Sequence, residues 1–167
     1  ELEHHANIVP WHQLAAERGI ELRWIPLTND GRLDLTDLDR LLDGVKLVGV
    51  SAVSNVLGTI TPVRQLADAA HAVGALCLVD ACQSVPHLPT DVVELGADFL
   101  AFSGHPMCGP TGVGVLWSRP ELLEAMPPFP GGAHMILNAP RDGLVPNALP
   151  RQLAPGPPPI PSLAPPR

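Results

Sequence analysis

The positions of apolar and polar residues predict most of the elements in the first two thirds of the chain. Pro10 stands where a helix can begin, residues 11–18 continue it, and Gly19 supplies the stop. Residues 21–25 (Glu-Leu-Arg-Trp-Ile) alternate polar and apolar, the pattern of a half-buried strand. Asn29-Asp30-Gly31 is a turn signal. Leu35, Leu38, Leu41 and Leu42 recur at helical spacing, with Asp34 or Thr36 near the N-cap. Residues 46–51 form a continuous apolar run, as in a strand covered on both faces. The spacing then predicts a helix over 63–73 closed by Gly74, a strand over 76–79 stopping on Asp80, and a short helix over 92–95 closed by Gly96. A strand over 99–102 stopping on Ser103 follows, and a last strand covers 112–117.

Repeated strand-helix-strand units predict an α/β sandwich of three layers with a mainly parallel sheet. One connection departs from that rule. Between Phe102 and Val113 lie ten residues with no helical pattern. A parallel crossover takes a dozen or more, usually helical. The last strand is therefore expected to run antiparallel, which makes the sheet mixed.

Composition changes the picture beyond residue 120. Of 21 prolines, 14 lie from Pro120 onward. Prolines fix φ and remove amide donors, so residues 151–167 are expected to be an irregular tail behind a domain spanning 1–150. Lys46 is the single lysine. The formal net charge of −7 and the lack of any basic block exclude a nucleic-acid-binding surface built on charge. No apolar stretch approaches the roughly 18 residues of a membrane span, and no leader pattern is visible. Three cysteines, Cys77, Cys82 and Cys108, cannot pair completely, which suits a reducing cytoplasm. The chain opens mid-pattern without Met and is expected to be a fragment.

In open α/β sheets, ligands bind beyond the carboxyl ends of the strands. Three strands deliver polar groups there: Ser54-Asn55 after 46–51, Asp80 with Gln83 after 76–79, and Ser103-Gly104-His105 after 99–102. A carboxylate ending an apolar strand can pair with a protonated ring nitrogen. Ser103 and His105 can hold a phosphate, and His4 or His5 can stack on a planar ring. Each also has a plainer reading, as turn former, helix cap or solvated side chain. The histidines and cysteines lack metal-ligand spacing, so no metal is expected. Gly109-Pro110-Thr111-Gly112-Val113-Gly114 precedes a strand rather than opening a helix, and is a weak dinucleotide signal.

Several ordered motifs carry a resemblance. They are residues 3–11 (Glu-His-His-Ala-Asn-Ile-Val-Pro-Trp), 53–59 (Val-Ser-Asn-Val-Leu-Gly-Thr), 79–84 (Val-Asp-Ala-Cys-Gln-Ser) and Phe102-Ser103-Gly104-His105 with Gly109-Pro110-Thr111-Gly112. Pro127-Pro128, Gly131-Gly132 and Met135-Ile136 complete the set. Together they resemble Suf-type cysteine desulfurases, class V aminotransferase-like enzymes of pyridoxal-phosphate fold-type I. The resemblance implies an incomplete large domain of that fold and pyridoxal 5'-phosphate as cofactor. It implies L-cysteine as substrate, yielding L-alanine and a persulfide that feeds iron-sulfur cluster assembly. It further implies a sulfur-acceptor protein of the Suf system and a homodimer. By residue, it implies that His4 stacks on the cofactor ring, Asn55 lies near the phenolic oxygen, Asp80 pairs with the pyridine nitrogen, Gln83 bonds the phenolic oxygen, and Ser103 and His105 hold the phosphate.

The chain departs from that pattern at one decisive place. The residue after His105 in the family is the lysine that forms a Schiff base with the cofactor, and here it is Pro106. Proline has no amine, so no catalytic residue is intact and the chain is expected to be inactive. None of the three cysteines falls at the family's sulfur-accepting position. Two alternatives stay open. One is a non-catalytic interaction or binding module on the same fold; the other is a fragment of another class V aminotransferase-like lyase.

Overall fold

The computed structural model describes residues 2–127, 135–141, 143, 145–149 and 151–153. Among them a four-stranded sheet runs in the order β1 (Leu47–Ser51), β2 (Leu76–Asp80), β3 (Phe99–Ser103), β4 (Gly114–Ser118). The first three strands are parallel, with Leu47 opposite Leu76 and Val79 opposite Leu100. β4 is antiparallel to β3, Ser103 standing opposite Gly114. The expected mixed, mainly parallel α/β sheet is thus present, and the short connection before β4 sets the one reversal.

Successive residues of a strand face opposite sides. Val48 and Val50 of β1, Cys77 and Val79 of β2 and Leu100 of β3 share one face and are buried. α3 (Val63–Ala72) lies on that face, burying Val63, Leu66, Ala67 and Ala70. Burial of a side chain such as Leu66 or Leu100 contributes about 1.5–3 kcal/mol. α2 (Leu38–Leu42) and α4 (Val92–Leu95) pack beside α3. On the opposite face, α1 (Val9–Arg18) begins over Gly49. A Cβ built there would lie 3.8 Å from both Asn7 Oδ1 and Trp11 Nε1. The run 46–51 is therefore not covered throughout, since Gly49 remains exposed.

The end of the sheet where the parallel strands begin is closed by one carboxylate. Asp98 is fully buried. Its Oδ2 accepts the Cys77 N–H at 2.7 Å and lies 2.8 Å from His71 Nε2. Arg119 Nη2 is 3.0 Å from Oδ1, an ion pair without the alignment of a directed hydrogen bond. The Asp98 backbone N–H donates to Cys77 O, and its carbonyl accepts from Arg119 N and Ser118 Oγ. One residue therefore joins α3, β2, β3 and β4. Burial, reinforced by the Asp98 carboxylate, pushes the Cys77 thiol up to about 12.

Several expectations are corrected. Residues 21–25 are not a strand. Sheet formation needs a paired neighbour, and the edge of β1 that faces them lies across a cavity. Arg23 Nη1 instead donates to the carbonyls of Leu41 and Asp43 at 3.1 and 2.6 Å. The Asp34 carboxylate does accept the Thr36 N–H and hydroxyl, but α2 itself begins at Leu38 behind Asp37. α5 (Pro120–Ala125) and a hairpin of β5 (Ile136–Asn138) with β6 (Val145–Pro146) have no counterpart in the expectations. Pro120 opens α5 at a position where a missing N–H has no consequence. Arg151–Leu153 forms a single 3-10 turn. Residues 154–167 of the expected tail, and Pro128, Gly131 and Gly132 of the motifs, lie outside the described residues.

Candidate functional site

The carboxyl ends of the three parallel strands form one rim. In register, Ser51 of β1 stands beside Asp80 of β2, and Asp80 beside Ala101 of β3. Strand alternation then puts Ser51, Asp80, Ala101 and Ser103 on one face, opposite the face that carries Val50, Val79 and Leu100.

Asp80 is half-buried, and its Oδ1 accepts the Cys82 N–H at 3.0 Å. The Cys82 thiol lies 3.7 Å from Ser103 Oγ. That thiol is pushed up, first by burial and then by the Asp80 carboxylate, with Ser103 acting in the other direction. Asp80, Cys82 and Ser103 are therefore one cluster. Gln83 is half-buried beside it, and its backbone carbonyl lies 2.7 Å from His87 Nδ1.

His4 reaches the same end of the sheet through its neighbour. Glu3 Oε1 accepts the Ser51 N–H at 2.9 Å, and Oε2 accepts the Ser51 hydroxyl at 2.8 Å and the Asn7 amide at 2.6 Å. Trp11 Nε1 donates to Asn7 Oδ1 at 3.1 Å. This chain of bonds fixes the start of α1 to the end of β1, with the exposed His4 next in sequence to Glu3. His4 Nδ1 accepts the Ala6 N–H at 3.1 Å as a cap of the 3-10 turn His5–Asn7. A neutral His4 therefore carries its proton on Nε2, which donates no hydrogen bond among the described residues.

Asn55 sits at the tip of the loop after β1 and is exposed. Ser54 behind it is buried, its Oγ accepting the N–H groups of Val56 and Leu57. The loop after β3 is a tight construction. Gly104 N donates to Val113 O, and Gly104 O accepts from Met107 N and Gly109 N. A Cβ on Gly109 would come within 2.7 Å of Gly104 O, so only glycine fits there. His105–Met107 form a 3-10 turn with Pro106 at its second position. His105 is exposed and Pro106 half-buried.

The structure thus brings Asp80 and Ser103 together and sets His4 at the same end. Asn55 and His105 stand on the loops that leave β1 and β3. No hydrogen bond links His4, Asn55, Gln83 or His105 to Asp80 among the described residues. Lys46 lies before the first residue of β1, at the other end of that strand. Sequence reasoning assigned no role to Glu3, Asn7, Trp11 or Cys82. The signal was present in their spacing: Glu3, Asn7 and Trp11 recur every fourth residue, and across the 3-10 turn into α1 that spacing brings successive side chains into contact.

The fold has counterparts among known proteins. The Aminotransferase class-V family matches residues 1–164. A probable cysteine desulfurase of Streptomyces coelicolor is 56% identical over 137 residues, covering 81% of this chain and 33% of that protein. A cysteine desulfurase of Haloferax volcanii is 47% identical over 161 residues, covering 96% of this chain and 38% of the relative. Among solved structures, the apo cysteine desulfurase of Thermococcus onnurineus NA1 superposes with a TM-score of 0.90 at 41% identity, covering 96% of this chain and 40% of that one. The S-sulfonic acid form of the Escherichia coli cysteine desulfurase CsdA gives a TM-score of 0.92 at 37% identity, covering 96% and 41%. The chain spans between a third and two-fifths of the length of these relatives. With the fold, the ordered motifs and nearly the whole sequence in agreement, this chain belongs to the class-V aminotransferase family.

Proposed function

We propose that this chain is the cofactor-holding rim of a Suf-type cysteine desulfurase large domain. In this reading it retains reversible affinity for pyridoxal 5'-phosphate but cannot bind it covalently or turn over L-cysteine. The observation that carries the reading is Pro106, directly after His105 in the loop that leaves β3. The family uses pyridoxal phosphate and its cysteine desulfurases act on L-cysteine.

The donor set fits the cofactor except at the point of attachment. Asp80 keeps one carboxylate oxygen, Oδ2, without a hydrogen bond among the described residues. Placed against the pyridine nitrogen, it holds a proton there. Ser103 Oγ and the His105 ring donate to the phosphate, and charge-assisted bonds of this kind are the strong ones. His4 covers the ring and excludes water, while Gln83 and Asn55 orient the phenolic oxygen. When bound, pyridoxal phosphate supplies an electron sink for chemistry at an amino acid's α-carbon. Proton transfer at that carbon needs a lysine amine at position 106, and proline has none. Lys46 lies at the wrong end of β1 to replace it.

The wider assignments follow the family resemblance: a homodimer, a sulfur-acceptor protein of the Suf system, a supply of sulfur for iron-sulfur clusters, and a cytoplasmic setting. No helix among the described residues is long and apolar enough to cross a membrane. A domain spanning 1–150 with an irregular segment over 151–167 belongs to the same reading.

The test is a titration with pyridoxal phosphate, followed by borohydride reduction and mass analysis. The chain as it stands binds reversibly, loses the cofactor on dialysis and gains no mass. Pro106→Lys gains the mass of one reduced cofactor yet releases no alanine from L-cysteine. Covalent labelling of the unaltered chain at Lys46, or alanine release by it, overturns the reading.

A further inference from the structure

The segment that precedes α1 hangs on one carboxylate. Three donors converge on Glu3: the Ser51 N–H reaches Oε1 at 2.9 Å, while the Ser51 hydroxyl and the Asn7 amide reach Oε2 at 2.8 and 2.6 Å. Ser51 is buried and Asn7 half-buried, so these donors have little water to turn to. Asn7 cannot reverse its role. Its Oδ1 accepts the Trp11 Nε1–H at 3.1 Å, and an indole nitrogen only donates. Turning the Asn7 amide over would set its NH2 against that donor. Asn7 therefore presents a donor to Glu3, and both oxygens at position 3 must accept. A carboxylate meets that demand. An amide does not: whichever way a glutamine is turned, its NH2 faces either the Ser51 N–H or the Asn7 NH2.

His4 follows Glu3 directly. Its carbonyl accepts the Asn7 N–H at 2.8 Å and its Nδ1 accepts the Ala6 N–H at 3.1 Å, so backbone and ring are both tied to the turn that Glu3 anchors. The anchor point, Ser51, stands in register with Asp80, and the adjacent Ala52 N–H donates to the Asp80 carbonyl at 2.9 Å. The path from Asp80 to His4 thus runs through one strand pairing and one side chain.

Resting on the reading above, in which Asp80 meets the pyridine nitrogen and His4 covers the ring, we infer that Glu3 is the positioning residue of the cofactor site. Through Ser51 and Asn7 it holds the His4 ring in fixed relation to Asp80, and Trp11 locks the arrangement by fixing the Asn7 amide. Affinity for the cofactor then depends on a carboxylate whose oxygens both bond the protein.

The test is a calorimetric titration with pyridoxal phosphate of the full chain, Glu3→Gln, Trp11→Phe, His4→Ala and the double variant Glu3→Gln/His4→Ala, with amide hydrogen exchange measured in the absence of cofactor. Glu3→Gln sets one donor against another, so binding is expected to weaken by about fivefold or more. Trp11→Phe frees the Asn7 amide to turn and weakens binding by less. In the His4→Ala background, Glu3→Gln is expected to change affinity by less than about twofold, since residues that act through one another are not additive. A role confined to stability would weaken both backgrounds alike. Exchange at Ala6, whose N–H the His4 ring holds, reads the seating of the ring directly. It is expected to be about tenfold faster in Glu3→Gln, with exchange at Leu66 and Val79 unchanged. If Glu3→Gln also loosens Leu66 and Val79, Trp11→Phe, alone and with His4→Ala, carries the same comparison. Unweakened binding by Glu3→Gln, equal weakening in the two backgrounds, or unchanged exchange at Ala6 overturns the inference. A full chain that binds no pyridoxal phosphate overturns the cofactor reading itself, and Ala6 exchange alone then decides whether Glu3 seats His4.

Discussion

β2 carries an aspartate–cysteine pair at each end, and the two pairs behave differently. At one end the Asp98 carboxylate accepts the Cys77 N–H at 2.7 Å; at the other, Asp80 accepts the Cys82 N–H at 3.0 Å. Asp98 is buried and further engaged by His71 and Arg119. Asp80 is half-buried, and among the described residues its Oδ2 accepts no hydrogen bond. The first carboxylate spends its bonding capacity inside the protein and holds four elements together. The second keeps capacity for a ligand. Both pairs join a carboxylate to a cysteine N–H, one across 21 residues of sequence and one across two, and the number of further internal partners sets them apart.

The largest expected effect tests that separation directly. Asp98→Ala strands Arg119, His71 and the buried Cys77 N–H, and should lower unfolding free energy by about 3 kcal/mol. Asp80→Ala should change it by less than about 1 kcal/mol while weakening pyridoxal-phosphate binding. Denaturant melts of the two variants decide, and equal losses would break the comparison. Next comes alkaline stability. The Cys77 thiol is raised in the folded state, so its contribution is fully present below the ordinary thiol value of 9.0 and is lost as pH rises toward about 12. The unfolded chain ionises first over that window. Melts between pH 8 and 11 should show a decline that Cys77→Ala reduces.

A smaller effect sharpens the point with a third carboxylate. Asp91 is exposed, yet it accepts the N–H groups of Val93 and Glu94 as the cap of α4. Asp91→Ala should cost about 1 kcal/mol in the same melts, more than Asp80→Ala, although both side chains meet solvent. The last test leaves stability untouched. Brief alkylation at pH 8, read by peptide mass, should modify exposed Cys108 first, half-buried Cys82 slowly, and Cys77 only after unfolding.

The sheet was largely legible because its strands are short apolar runs ending on polar residues and several of its helices are closed by glycine. Gly19 and Gly96 adopt left-handed conformations at the ends of α1 and α4, as their positions in the sequence indicate. The reversal at β4 was legible from loop length alone. Asp80 and Ser103 could be singled out because each ends an apolar strand. Asp98 could not: it precedes a strand, and its partners His71 and Arg119 lie 27 and 21 residues away in sequence, in other elements. The strand expected over 21–25 failed for a related reason. Alternation describes a segment's faces, while a strand also needs an edge to pair with, and that edge belongs to a different part of the fold.

Pro106 has a consequence beyond chemistry. It occupies the first turn of a 3-10 helix, where no partner waits for its N–H and a fixed φ is welcome. Proline at this position is invisible to anything that senses folding. Chaperones and proteases, which read exposed apolar surface, have nothing at this position to act on. A proline that fits this turn is carried at no cost to the abundance of the protein.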